Sequence, residues 1–556
     1  MNLVNRYAKT DFESYEDFIQ NFKINIPENF NFGFDIVDEM GRLAPDQRAL
    51  MWCNDKGQER TFTFGEISDL SNKAVTVLTK LGIKKGDTVM LMLKRRYHFW
   101  FIMPALHKIG AIAIPSTHML TDQDIDYRVK TAGIRTIICA ADPIIYDHVV
   151  KSKALNPELV LVSVDGKEDG FVDFDEEMSK AEPAHPERVT ENEDTMLVYF
   201  TSGTTSHPKM VRHVFTYPLG HIITAGFWQN LTDKDVHFTM ADTGWAKCAW
   251  GKLYGQWIMG ACVFVYDYEA KFPPAEVLKM LSTKCITTFC APPTIYRFLI
   301  KENLEDYKLT LRACYIAGEP LNAEVYRQWL DKTGIELREG FGQSETPAIL
   351  AVFPWLPPKP GSTGKPSPTF GIKLLDENDE ECSVGYEGEI CIDVRNGIPA
   401  GVCRGYMADE EATANVMRNG YYHTGDMAWK DEDGYFWFIG RGDDVIKSSG
   451  YRIGPFEVES ALLEHKAVLE AAITAVPDPE RGQIVKATVV LAKGYTPGPE
   501  LTKELQNHVK KTTAPYKYPR IIEYVDELPK TISGKIKRKH IRMEDEAQHK
   551  EPENKG

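Results

Sequence analysis

The sequence predicts an α/β protein of two domains. The first is a large N-terminal domain of layered α/β subdomains plus a small β-rich subdomain; the second is a small α+β C-terminal domain. Three observations predict this. Between Thr88 and Glu339, short apolar runs alternate with helical stripes, the βαβ rhythm of layered sheets with parallel strands. From Ile372 that rhythm yields to short strands and turns, and after Arg441 to a smaller set of helices and strands. The length of 556 residues exceeds what one hydrophobic core holds. The boundary is expected between residues 1–442 and 443–556.

Composition narrows the class. With 43% hydrophobic and 26% charged residues, the chain reads as globular and water-soluble. A formal net charge of −15 argues against nucleic acid or an anionic membrane as partner, so an anionic ligand needs a local basic site. The opening Met1-Asn-Leu-Val-Asn-Arg6 has no apolar run of the secretory kind behind it. The most apolar stretch, Phe99 to Pro115, is broken by Pro104, His107, Lys108 and Gly110, and reads as helix plus strand rather than a transmembrane segment. The 10 cysteines never form C-x-x-C, and Cys262, Cys285, Cys290 and Cys391 sit in apolar runs. Buried free thiols and a reducing, cytoplasmic location are expected.

In chain order, the first fifty residues lack periodicity and are expected to wrap the outside. Thr63-Phe-Gly-Glu66 is a capping box, and Leu70, Ala74, Val77 and Leu78 continue it as a helical stripe ending near Gly82. Thr88–Leu93 reads as a buried strand, about 97–109 as a helix, Ala111–Pro115 as a strand, Asp122–Ala132 as a helix and Thr136–Cys139 as a strand. The acidic stretch Glu168–Glu187 reads as a solvated linker. Strands follow at Met196–Phe200, Val236–Met240, Cys262–Tyr266, Ile286–Cys290, Arg312–Ile316 and Ile335–Glu339, with a helix at Glu324–Lys332. The β-rich part holds Gly388–Asp393 and Tyr435–Ile439. The C-terminal part holds helices Phe456–Glu464 and Glu500–Thr512 and strands Leu469–Val476, Val485–Leu491 and Ile521–Val525, and the tail after Glu544 is expected to be disordered.

Three loops follow strand ends: Thr201–Lys209, Ala317–Pro320 and Gly340–Glu345. In open α/β sheets, ligands sit beyond the carboxyl ends of strands. In the first loop, hydroxyls at Thr201, Ser202, Thr204 and Thr205 surround Gly203 and precede Lys209, as in a phosphate-gripping loop; a Ser/Thr-rich surface turn has the same composition. It is not a Walker A loop, because Pro208 and Met210 stand where glycine and Ser/Thr are required.

Together these motifs resemble the adenylate-forming (AMP-binding) acyl/aryl-CoA synthetase superfamily. Thr201–Lys209 is similar to its phosphate loop, Gly340–Glu345 to its adenine-side loop, Tyr422-His-Thr-Gly-Asp426 to its ribose motif, Gly440-Arg-Gly-Asp443 to its hinge and Pro529–Lys535 to its catalytic-lysine motif. Glu339–Glu345 and Ala514–Arg520 most resemble the medium-chain acyl-CoA synthetases.

The resemblance implies an ATP-dependent ligase that activates a medium-chain or branched carboxylic acid as an acyl-adenylate. It then forms the acyl-CoA thioester, releasing AMP and pyrophosphate. The alternative is an adenylating enzyme that loads a carrier protein or uses an aromatic acid. The implied partners are the carboxylic acid, ATP, Mg²⁺ and coenzyme A, with a homodimer as a compatible assembly. Lys535, Lys209 and Glu345 are implied in catalysis, Glu345 also in holding Mg²⁺. The nucleotide site is implied at Thr201, Ser202, Gly203, Thr204, Thr205, Lys209, Gly318, Glu319, Pro320, Glu339, Gly340, Phe341, Gly342, Gln343, Ser344, Asp426, Arg441, Arg452 and Lys535. Ser449, Gly450, Tyr451, Arg481 and Arg520 are implied at CoA, and Asp443 as the pivot by which the small domain withdraws Lys535 and admits CoA.

The acyl pocket is implied at Trp245, Phe341 and Gly342. Acetate-specific relatives carry tryptophan before the loop glutamine. Gly342 before Gln343 therefore predicts an open pocket floor and an acid longer than acetate. Trp250 reads either as a narrowing wall or as plain core, and Lys247 is unusual for an apolar pocket.

Overall fold

The structure is a computed structural model that describes residues 3–201, 208–269, 272–449, 451–530 and 536–549, without the side chains of 546–549. Two large sheets carry the first two-thirds of the chain. One has seven strands, in the spatial order Val172–Asp173, Val160–Val164, Thr136–Ala140, Thr88–Met92, Ile112–Pro115, Thr195–Thr201 and Lys209–Val214. All its pairings are parallel except the last, where Thr201 faces Lys209 across an antiparallel hairpin. The other has nine strands, with the parallel run Leu337–Phe341, Ala313–Ile316, Thr288–Ala291, Val236–Thr239, Cys262–Asp267 and Arg48–Asn54 between antiparallel edges. The predicted α/β layering is present, and the antiparallel edges are the departure from it.

The expected capping box is formed: Thr63 Oγ1 accepts from the Glu66 amide, and Glu66 accepts from the Thr63 amide. The predicted helix Asp122–Ala132 is present and closes on Gly133 in the left-handed region. Four expectations are corrected. The first fifty residues do not merely wrap the outside. Phe18, Phe30, Phe32 and Ile36 are fully buried, Phe18 stacks on Phe227 at 4.4 Å, and Arg48–Asn54 joins the nine-stranded sheet beside Cys262–Asp267. Burying each such ring stabilises the fold by about 1.5–3 kcal/mol, which no local periodicity announces.

The acidic stretch is not a solvated linker either. Asp173 caps a helix at Phe174–Lys180, Phe174 and Met178 are buried beneath it, and Asp175 meets His98 at 2.8 Å. The chain after Glu544 continues as helix to His549, and Asp545 is buried against Lys486. Cys285 is exposed, whereas Cys262, Cys290 and Cys391 are buried as expected.

A smaller sheet follows, with Glu387–Asp393 and Phe436–Arg441 both paired to Tyr421–Lys430. A C-terminal sheet centres on Val468–Asp478 and Gly482–Leu491, with the hairpin Ile446–Ser448/Tyr451–Ile453 on one side and Ile521–Tyr524 on the other. Helices Pro455–Leu463 and Pro499–Thr512 cover it.

Candidate active site

One cavity of about 1680 Å³ lies where the strand ends of the nine-stranded sheet, the seven-stranded sheet's terminal hairpin, the small sheet and the C-terminal segment meet. The three loops predicted to converge all line it, through Thr201 and Lys209, through Gly318, Glu319 and Pro320, and through Glu339 to Glu345. Gly318 has φ of +98°, a conformation that glycine adopts without strain and that turns the chain across the cavity mouth. Glu319 accepts from the Thr294 hydroxyl at 2.6 Å. Ser202, Gly203, Thr204, Thr205, Gly450 and Lys535 lie outside the described residues.

The best-ordered part of the wall is a buried polar network. Gln343 Nε2 donates to Asp426 Oδ2 at 2.5 Å and to the Thr424 carbonyl at 2.8 Å, while its Oε1 accepts from Tyr422 at 2.9 Å. Gln343 is therefore held at both ends of its amide, and Asp426, only 5% exposed, is aimed from the small sheet at the loop after Phe341. Arg441 pairs with Asp426 across the Tyr421–Lys430/Phe436–Arg441 ladder, its Nε 3.9 Å from Asp426 Oδ1 and 3.7 Å from Asp443 Oδ1. Partial desolvation lowers the pKa of its guanidinium, but Asp426, Asp443 and Glu345 outweigh this and hold it above its ordinary value.

Lys209 stands with its ammonium 4.7 Å from the centre of the Tyr406 ring, and the Tyr406 hydroxyl donates to Glu345 at 3.1 Å. Burial first, and the Glu345 charge second, push the Tyr406 phenol upward, so it stays a donor. Ser344 presents its carbonyl to His213 Nε2 at 2.8 Å. Burial lowers His213 to about 3, so it is neutral and carries its proton on Nε2. Sequence reading missed Tyr406 and His213. His213 shares the face of its strand with Lys209 at period two, a usable signal. Tyr406 is reached only through a bridge to Val211 that no local pattern encodes.

Glu339, also 5% exposed, accepts from the Leu321 amide at 3.2 Å, and burial raises its pKa from 4.5 to about 8. Trp245, Phe341 and Trp250 line the cavity as well. The floor at Gly342 is not open: a Cβ there would lie 2.5 Å from the Trp250 ring. Lys247 also turns inward, and its ammonium donates to the Ala317 carbonyl at 2.7 Å.

From the C-terminal side come Lys530, Lys537, Arg538 and Arg542. Lys537 is exposed, and the other three are each paired. Arg538 makes a two-pronged pair with Glu459, Lys530 meets Glu470 at 2.7 Å, and Arg542 donates to the Asp443 carbonyl and pairs with Asp444. Asn322 ties the Ala317–Pro320 loop to helix Pro455–Leu463 through the Ser460 carbonyl at 3.1 Å.

The described residues implied at CoA lie elsewhere, and of them only Ser449 and Arg481 are seen to meet. The Ser449 amide donates to the Arg481 carbonyl at 2.9 Å, Tyr451 stacks on Tyr516 at 4.1 Å, and Arg520 reaches the Tyr518 hydroxyl at 2.7 Å. These residues and Arg452 are not part of the cavity wall; Tyr451 and Arg452 are exposed on the outer hairpin. Among the described residues, Glu389, Cys391 and His423 also approach one another; Glu389 bridges His423 Nδ1 and the Gly425 amide, and His423 Nε2 makes no hydrogen bond.

Family models extend this geometry beyond one chain. The one described as AMP-binding enzyme matches residues 37–407, and that for the AMP-binding enzyme C-terminal domain matches residues 457–535. This chain belongs to the AMP-binding enzyme family. It is 42% identical over 545 residues to acyl-coenzyme A synthetase ACSM3, mitochondrial, of Mus musculus, covering 96% of this chain and 94% of the relative. With acyl-coenzyme A synthetase ACSM4, mitochondrial, of Homo sapiens it shares 43% over 530 residues, 93% of this chain and 91% of that one. Among solved structures, the anthranilate CoA ligase AuaEII in complex with anthranoyl-AMP superposes with a TM-score of 0.85 at 27% identity, over 94% of this chain and 99% of that one. At such identity and coverage this family member is an enzyme, an AMP-forming acid–thiol ligase. No helix among the described residues is long and apolar enough to cross a membrane.

Proposed function

We propose that the protein joins a medium-chain or branched aliphatic carboxylic acid to coenzyme A through an acyl-adenylate. A carboxylate oxygen attacks the α-phosphorus of ATP, an O–P bond forms and pyrophosphate leaves. The CoA thiol, giving up its proton, then attacks the acyl carbon and AMP departs with the bonding pair. Chemistry of this kind needs positioning and charge stabilisation more than a protein nucleophile. The observation that carries the reading is the Gln343–Asp426–Tyr422 network, a pre-set acceptor at the cavity wall suited to ribose hydroxyls.

In this reading Lys209 neutralises phosphate charge beside Tyr406, and Glu345 presents the hard oxygen donor that Mg²⁺ prefers, which would offset phosphate charge when bound. Lys535 stabilises charge at the α-phosphate, and Asp443 serves as the pivot between residues 1–442 and 443–556. Arg542 holds the Asp443 backbone, which supports a pivot with defined resting positions. Ser449 and Tyr451 of the outer hairpin, with Arg481 and Arg520 just before the strands beside it, take CoA. Reduced thiols suit the cytoplasm, but a mitochondrial matrix, the compartment in the relatives' names, satisfies them equally, so only a reducing compartment is proposed. Incubation with octanoate, Mg²⁺–ATP and CoA is expected to yield AMP and pyrophosphate; ADP as product ends this reading, and a larger yield from benzoate moves the substrate to aromatic acids.

A further inference from the structure

Glu389 and Cys391 stand two residues apart on the strand Glu387–Asp393, and Cys391 pairs directly with His423 on the strand Tyr421–Lys430. Residues two apart share a face of a strand, and directly opposed residues of an antiparallel pair meet on one face. The register shifts between Glu389 and Cys391, so the His423 ring lies against both. Cys391 Sγ is 3.5 Å and Glu389 Oε2 3.0 Å from the same atom, His423 Nδ1. Cys391 and His423 are buried, and Glu389 is half-buried.

One ring nitrogen cannot satisfy both neighbours. An ionised carboxylate only accepts, so Glu389 takes the Nδ1 proton, and the Cys391 S–H then has no lone pair on Nδ1 to donate to. With the proton on Nδ1, Nε2 is a bare acceptor, and it is buried without a hydrogen bond. Asp379 Oδ1 stands 3.8 Å from Nε2, and its Oδ2 accepts from Asn419 at 2.5 Å. Two acceptors thus face each other where a proton on Nε2 would join them. Protein atoms alone leave this cluster a proton in the wrong place, and unsatisfied buried polar atoms are rare in folded proteins.

We propose that Glu389, Cys391 and His423 bind a Zn²⁺ ion that staples the two strands together, with water from the cavity bordered by Glu389 and His423 as fourth ligand. The Cys391 thiol releases its proton to water and binds as thiolate. The imidazole proton moves from Nδ1 to Nε2, where Asp379 accepts it. Every group then has a partner, in the carboxylate–histidine–metal order that orients histidine ligands. Bonds of about 2.3 Å to sulfur, about 2.05 Å to nitrogen and about 2.1 Å to oxygen at tetrahedral angles set S···N at about 3.6 Å and N···O at about 3.4 Å. The sulfur is already in place, and the carboxylate has a few tenths of an ångström to move. Thiolate disfavours Mg²⁺ and Ca²⁺, and carboxylate disfavours Cu(I). Arg418, 3.7 Å from Glu389 Oε2 and 45% exposed in its side chain, can turn outward as the ion enters. Glu389 also accepts from the Gly425 amide at 2.7 Å, so the staple sits directly behind Asp426.

The test uses the full-length chain, stripped with EDTA, desalted under reducing conditions and titrated with Zn²⁺ against a chromophoric zinc indicator. A parallel titration with Co²⁺ reads the near-ultraviolet thiolate-to-cobalt charge-transfer band, and thermal unfolding is followed with and without Zn²⁺. Wild type is expected to show the band and to melt higher with Zn²⁺, since an ion that binds only the folded chain stabilises it. Cys391→Ser is expected to lose both the band and the zinc-dependent rise. Asp379→Asn keeps an acceptor for Asn419 and turns its amide N–H toward Nε2, which holds the imidazole proton on Nδ1. It is expected to weaken Zn²⁺ by about 10–100-fold, as loss of an outer partner does, and it decides the matter if Cys391→Ser does not fold. Cys285→Ser, at an exposed thiol, is expected to change neither reading. A wild type without the band, a band that persists in folded Cys391→Ser, or an Asp379→Asn variant that binds Zn²⁺ as wild type does overturns the zinc site. None of these outcomes bears on AMP release, so the ligase reading stands or falls separately.

Discussion

On the side of the cavity proposed for the nucleotide, Gln343 is bonded through both ends of its amide, Asp426 is 5% exposed and Tyr422 is buried behind them. On the C-terminal hairpin, Tyr451 is 51% exposed and stacks on Tyr516, and Arg452 beside it is exposed as well. The first region is pre-organised: its polar groups are desolvated, so each hydrogen bond is costly to lose, and the geometry is set before a ligand arrives. The second keeps its charges in water, where they are individually weak and screened, but where a domain can carry them from place to place without breaking a buried network. The proposed two-step mechanism uses both kinds of surface, one to hold the nucleotide through both steps and one to move between them.

This contrast sets the order of expected effects. Lys535→Ala is expected to slow adenylate formation by about 10²–10³-fold while sparing thioester formation from supplied acyl-AMP, as separate half-reaction assays would measure. Equal losses in both halves would erase the distinction between a fixed and a travelling surface. Next, Asp426→Ala removes a buried acceptor and leaves Gln343 and Arg441 without their carboxylate. A rise of about 10–100-fold in KM for ATP is expected in pyrophosphate exchange, because hydrogen bonds to charged groups are worth about 1.5–3 kcal/mol.

Glu339 gives a pH test of the pre-organised side. Folded, its carboxyl keeps its proton up to about pH 8; unfolded, it loses it near 4.5. The raised pKa therefore contributes stability that is full below pH 4.5 and is lost as pH rises through 8. Glu339→Gln, which mimics the protonated acid and keeps an acceptor for Leu321, is expected to melt about 2 °C or more above wild type at pH 8 and close to it at pH 5. Equal melting temperatures at both pH values would show that the site is wetter than its burial indicates. The smallest effect is expected on the travelling side. Arg520→Ala should raise KM for CoA by about 3-fold and leave ATP–pyrophosphate exchange unchanged, in line with a solvent-screened charge. A loss in exchange would make Arg520 part of the nucleotide wall.

Much of the fold was legible in the sequence because it is local. The first capping box is announced by Thr63 and Glu66, and the buried strands by unbroken apolar runs. The three loops were legible for the same reason, since each follows a strand end. Phe18, Arg48–Asn54 and Tyr406 were not legible, because their partners lie hundreds of residues away at Phe353, Cys262–Asp267 and Val211.

What the sequence determined by itself is the chemistry on offer: hydroxyls and Lys209 at one strand end, Gln343 and Glu345 at another, Asp426 and Arg441 on a β-hairpin. What only the tertiary structure decided is the shape of the space between them. Glycine at 342 reads as room because sequence counts only the atoms a residue brings. Packing counts the atoms its neighbours bring as well, and there the Trp250 indole fills the place that the missing side chain leaves.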